Sequence, residues 1–105
     1  MNIITASKLD EIANDTDVSV AGLVITRQRP STSNGVIFLT LEDETGTINI
    51  ICWESVYKKF RHEIIHAQLL MISGKLQKSG GTTHVIARSI NNLSELLDFL
   101  PELDF

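Results

Sequence analysis

One cysteine, two prolines, one tryptophan and one tyrosine are all that these 105 residues hold of four structure-defining types. A lone thiol excludes an internal disulfide and points to the cytoplasm. No apolar run approaches the roughly 18 residues a membrane span needs, and no basic-then-apolar leader opens the chain. Positive charge is scarce as well: nine Lys/Arg stand against 13 Asp/Glu, for a net charge of −4. That balance opposes a large phosphate-neutralising footprint. The deficit is uneven, however. Residues 20–90 carry eight cations against five acids, a balance of +3, while the rest carries Lys8 against eight acids, a balance of −7. A mildly basic middle between acidic ends permits weak, steeply salt-dependent binding to a single strand. The remaining composition, 43% hydrophobic and 21% charged, is that of one soluble domain.

Within the middle, Gly35–Trp53 reads with period two as a pair of strands around Asp43-Glu44-Thr45-Gly46. Ile37, Leu39 and Leu41 point one way, and Val36, Phe38 and Thr40 the other. The partner strand alternates Ile48, Ile50 and Cys52 against Asn49, Ile51 and Trp53. One face is core, which makes Cys52 a buried, inert thiol. The other face carries two aromatics, a hydroxyl and an amide, an unusual set for a surface that meets only water.

Upstream, a Ser7 cap and apolar Leu9, Ile12 and Ala13 predict a short helix ending near Asn14. Val18–Gln28 reads as a strand with a bulge or bend at Gly22, and Arg29–Gly35 as a polar loop. Downstream, Val56, Phe60 and Ile64 form a helical stripe with Tyr57 beside it, predicting one helix over 54–65. Two more strands follow, over 68–77 and 82–90, joined by a turn at Lys78-Ser79-Gly80-Gly81. Leu93–Leu100 reads as a short amphipathic helix stopped by Pro101. Five strands with a helix between the third and fourth is the order of the oligonucleotide-binding (OB) Greek-key barrel. The expected organisation is a lead-in over 1–17, the all-β barrel with accessory helices over 18–91, and a helix and tail over 92–105.

The stretches Val20–Pro30 and Gly35–Gly46 closely resemble the OB-fold domain near the C-terminus of bacterial DNA polymerase III alpha subunits, nearest the error-prone branch. The likeness continues through Trp53, Phe60-Arg61, Gly74–Gln77 and Gly80–Val85, and spans about residues 18–97. It implies a C-terminal piece of a much longer polymerase concerned with replication and translesion repair. The implied polymerase activity belongs to that parent, because the catalytic palm and its metal-binding carboxylates have no counterpart here. A more distant likeness is to the anticodon-binding OB domains of aspartyl-type tRNA synthetases. It implies base stacking at Phe38, base reading at Asn49, and an Arg contact for which Arg27 or Arg29 stands in.

Binding a single strand needs π-surfaces for bases and cations for phosphates. Phe38 and Trp53 are the candidate platforms, and Thr40, Asn49 and His84 the candidate hydrogen-bonding partners. Arg27, Arg29, Lys75 and Lys78 are expected on the rims. Each has a plainer reading: Phe38 under a loop, Trp53 on the following helix, the cations merely solvated. The expected partner is single-stranded DNA, with RNA as the alternative ligand, bound by a monomer that needs no cofactor, metal or membrane.

Two other function classes compete. His62-Glu63-Ile64-Ile65-His66 fits the zinc-protease pattern H-E-x-x-H, but the helical stripe turns both imidazoles toward water. A protein-docking module is the stronger rival, through the rest of the polymerase or its repair partners. Leu100–Phe105 also distantly resembles a Leu/Phe motif that engages a replication sliding clamp.

Overall fold

The hairpin at Gly35–Trp53 forms as its alternation requires. The computed structural model describes residues 2–99, so the Leu100–Phe105 motif lies outside the described residues. Strands β1 (Asp17–Gln28), β2 (Ile37–Asp43), β3 (Gly46–Cys52), β4 (Leu69–Ser79) and β5 (Thr82–Asn92) close into a barrel. The order around it is β1-β2-β3-β5-β4, antiparallel throughout except where β3 runs parallel to β5. Leu39, Leu41, Ile48, Ile50, Ile72, Leu76 and Val85 fill the interior. Cys52 is sealed among them, and burial pushes its thiol up to about 12.

Between β3 and β4 the chain makes two helices, α1 (Glu54–Lys59) and α2 (Arg61–His66), instead of one. Phe60 breaks them at φ −113°, ψ 25°, although no Gly or Pro lies between Glu54 and His66. The cause is therefore tertiary. Tyr57 and Ile64 are buried, and the Arg27 guanidinium holds the carbonyl end of α2, donating from Nε to the Ile64 carbonyl at 2.7 Å and from Nη2 to that of Ala67.

Several local expectations are corrected. Val36 is buried, not outward, where the chain enters β2. The irregularity in β1 falls between Val24 and Thr26, with Ile25 as the extra residue. Gly22 serves close approach instead: a Cβ there would stand 2.7 Å from the Glu42 carbonyl oxygen. A second register shift makes Arg88 the extra residue opposite Ser73 and Gly74, so that Ala87 and Ile90 both face inward. Both terminal helices are 3-10 turns, Ala6–Glu11 and Ser94–Phe99, and the first starts after Thr5 without a side-chain cap. Among the described residues no helix is long and apolar enough to cross a membrane.

The N-terminal turn is held by Asp43, whose carboxylate accepts from the Ala6 N–H at 2.8 Å, the Thr45 N–H and hydroxyl at 2.7 Å each, and the Gly46 N–H at 3.1 Å. Partial burial pushes this carboxyl up, but the hydrogen bonds from Thr45, Ala6 and Gly46 outweigh it and hold it below its usual 3.8. A depressed folded pKa contributes stability above the unfolded value and loses it as pH falls through the folded one. Asp43→Asn is thus expected to cost about 1–2 kcal/mol near neutral pH. Thermal melts should show wild type and variant converging in strongly acidic buffer, below that 3.8.

Candidate nucleic-acid interface

Strand register alone lays out the outer wall. Gln28 faces Phe38, Phe38 faces Ile51, Ile51 faces Ile86 and Ile86 faces Lys75, so one row crosses all five strands. The neighbouring row, two residues along each strand, is Thr26, Thr40, Asn49, His84 and Gln77. The first row has an apolar centre, Phe38-Ile51-Ile86; the second is polar throughout. Both stand on outward positions because their neighbours Leu39, Ile50 and Val85 are locked in the core. With strands about 4.8 Å apart, Phe38 and Lys75 lie about 15 Å apart along the wall.

Phe38 is 36% exposed, and Ile51 and Ile86 are half-buried. An apolar strip of this kind can support the faces of planar rings, and the polar row beside it can meet their edges. Trp53 stands one residue past β3 as the N-cap of α1 and is 55% exposed, so it does not pack beneath the helix. Arg29, just past β1, lies over the Tyr57 ring at 4.5 Å from its centroid. That stacking holds its planar cation against α1.

Two cations are more committed. Arg27 pairs in register with inward-facing Leu39, and its guanidinium serves the carbonyls of α2. Lys78 lies at the far end of β4, where its Nζ donates to the Asp10 carbonyl and its backbone N–H to Asn14 Oδ1, both at 2.8 Å. Thus Phe38, Thr40, Asn49, His84 and Lys75 share one wall, Arg29 and Trp53 border it at α1, Lys78 borders it at the β4–β5 turn, and Arg27 lies beneath α2. Sequence reasoning passed over Ile51 and Ile86, which share the row with Phe38. The available signal was isoleucine at outward positions in strands whose other outward residues are largely polar.

His62 and His66 sit one turn apart on α2 with ring centroids separated by 4.7 Å, and both are exposed. Among the described residues no three His, Cys, Asp or Glu side chains are grouped to hold a metal ion.

Known proteins agree with this geometry. The tRNA anti-codon family, an OB-fold nucleic acid binding domain, matches residues 18–93. An error-prone DNA polymerase of Ruegeria pomeroyi is 54% identical over 80 residues, covering 76% of this chain and 7% of that protein. That of Sinorhizobium medicae is 43% identical over 98 residues, covering 93% and 9%. The chain therefore spans less than a tenth of the length of these curated relatives. Among solved structures, asparaginyl-tRNA synthetase from Pyrococcus horikoshii complexed with asparaginyl-adenylate superposes with a TM-score of 0.74 at 17% identity, over 90% of this chain and 23% of that one. The S. pombe Stn1-Ten1 complex follows at 0.65 and 16%, over 78% and 61%, a likeness of fold alone. With a closed five-stranded barrel, helices between β3 and β4, and a family match over most of its length, the chain belongs to the OB-fold nucleic acid binding domains of the tRNA anti-codon type, and its sequence relatives are error-prone DNA polymerases.

Proposed function

We propose that this domain binds single-stranded DNA across β2, β3 and β5 as a non-catalytic accessory module of an error-prone, damage-tolerant polymerase. The observation that carries the reading is the outward apolar strip of exposed Phe38 and half-buried Ile51 and Ile86, flanked by the polar row Thr40-Asn49-His84. Bases stack on Phe38, with Trp53 as a second platform at the α1 end. Arg29 and Lys75 meet phosphates at the two ends of the path, and Lys78 extends it past the β4–β5 turn. Arg27 contributes indirectly, by fixing α2. Two stacking platforms at about 1–3 kcal/mol each suit micromolar or weaker binding. The domain acts as a monomer in the cytoplasm, with RNA as a competing ligand. Synthesis is the work of the longer polymerase.

Fluorescence anisotropy with oligo(dT) at low and moderate salt tests this directly. Arg29→Ala is expected to weaken binding about threefold to tenfold regardless of sequence, and to flatten the dependence of log K on log salt by about 0.7. A wild-type slope in the variant would remove Arg29 from the phosphate path.

A docking role within the same polymerase is favoured by one separate feature. Leu23, Val24, Ile65 and Leu97 line a cleft of about 410 Å³ outside both rows. Capture of the rest of the polymerase that is insensitive to salt, with no oligonucleotide binding, would support that reading instead.

A further inference from the structure

Where the proposed DNA path leaves the polar row, the wall opens into a cleft. The parallel ladder of β3 and β5 covers only Asn49–Ile51 and His84–Ile86. Beyond it the strands part, and the N-terminal 3-10 turn lies across the gap. The resulting cleft measures about 290 Å³; the buried side chains of Leu9 and Ile48 lie beneath it, and Asp10, Thr47, Asn49 and Thr83 form its polar rim. A second cleft of about 300 Å³ shares Asp10 and Thr83 and runs over the β4–β5 turn to Lys78. Lys78 Nζ donates to the Asp10 carbonyl, which leaves the Asp10 side chain outside that contact.

On the reading of the wall as a single-strand site, we infer that this cleft takes one nucleobase and selects guanine. Its volume, at the lower end for ligand pockets, suits one base rather than a longer segment. Its rim of hydroxyls, an amide and a carboxylate meets the ring edge. The carboxylate decides which base. An ionised Asp only accepts hydrogen bonds, and guanine alone presents two adjacent donors, N1–H and N2–H2, on one edge. Thymine would turn a carbonyl toward Asp10, while adenine and cytosine offer a single amino group beside an acceptor. Lys78 in the adjoining cleft stands where the phosphate of the same nucleotide would lie. Without a donor edge to engage it, Asp10 merely repels that phosphate, so the residue acts through selection and not through affinity.

The test uses the whole chain, with oligo(dT) and an alternating dT–dG oligonucleotide of equal length in anisotropy titrations. The alternating strand is expected to bind about fivefold or more tightly, the effect of one good bidentate base contact. Asp10→Asn should abolish the preference, bringing the alternating strand and oligo(dT) to equal affinity. Asp10 is exposed, so this substitution spares the fold. Replacing dG by deoxyinosine, which lacks the N2 amino group, should remove most of the preference in wild type. Guanosine monophosphate should shift the Gly81, Thr82 and Thr83 amide resonances, and thymidine monophosphate should leave them in place. Equal binding of the two strands by wild type, or a preference that survives in Asp10→Asn, overturns the cleft assignment and leaves the DNA-binding wall standing. Absence of binding to either strand overturns both.

Discussion

Replacing Phe38 by alanine is expected to weaken oligo(dT) binding at least fivefold while the domain stays folded. The size follows from what the ring can do where it stands. Base–aromatic stacking is worth about 1–3 kcal/mol, so complete loss spans roughly fivefold to more than a hundredfold. The wall offers no substitute nearby, because its other centre residues, Ile51 and Ile86, are aliphatic and half-buried. Stability should change little. At 36% exposure the ring lies outside the cluster of Leu39, Leu41, Ile48 and Ile50, each no more than 1% exposed. Losing a partly covered side chain there costs about 1 kcal/mol.

Phe38→Leu separates stacking from generic apolar contact. Leucine keeps much of the apolar area but has no π-face, so a stacking platform predicts that it resembles alanine in affinity and wild type in melting temperature. If Phe38→Leu binds oligo(dT) as well as wild type does, the wall recognises DNA by something other than its ring. An unchanged affinity in Phe38→Ala would remove the main support of the DNA-binding proposal.

The hairpin that carries Phe38 was legible because burial enforces its period. A slip of one residue in β2 would expose Leu39 and Leu41 and bury Thr40, a cost large enough for alternation alone to fix the faces. The number of strands and the place of the helices followed from the spacing of turns. What escaped was everything decided by distant parts of the chain. The bulges at Ile25 and Arg88 answer to barrel closure, which no local pattern encodes. The break at Phe60 has no Gly or Pro to mark it, and the carbonyl end of α2 is held by Arg27, more than thirty residues upstream. Arg27 and Lys78 show the same limit at the site: cationic type says nothing of the backbone carbonyls of other segments to which both side chains hydrogen-bond. By contrast, Thr40, Asn49 and His84 share a row because register, not side-chain chemistry, aligns them.

The largest effect on the fold is expected at Gly74, where alanine should lower stability by about 3 kcal/mol or more. A Cβ there would sit 2.0 Å from the Ile86 carbonyl oxygen, 2.8 Å from its carbon and 3.1 Å from the Ala87 Cα. All three are backbone atoms of the adjacent strand, so no flexible side chain can yield. Gly74 stands beside the register shift at Arg88, and relief would require β4 and β5 to separate there. Against a typical total of about 5–15 kcal/mol, that loss corresponds to a melting point lower by roughly 10–20 °C. Gly80→Ala is the control: a Cβ there meets nothing within 4 Å, and its cost is only that of a residue held at φ +57°, about 1 kcal/mol. A Gly74→Ala protein melting within a few degrees of wild type would mean that β5 can move away from β4 cheaply. Because Ile86 belongs to both this close approach and the apolar strip, such mobility would also leave the wall without a fixed third position for a base. Rigidity at Gly74 therefore fixes the row on which the proposed binding rests, and a Gly74→Ala variant rescued by low temperature should regain its fold before its affinity for oligo(dT).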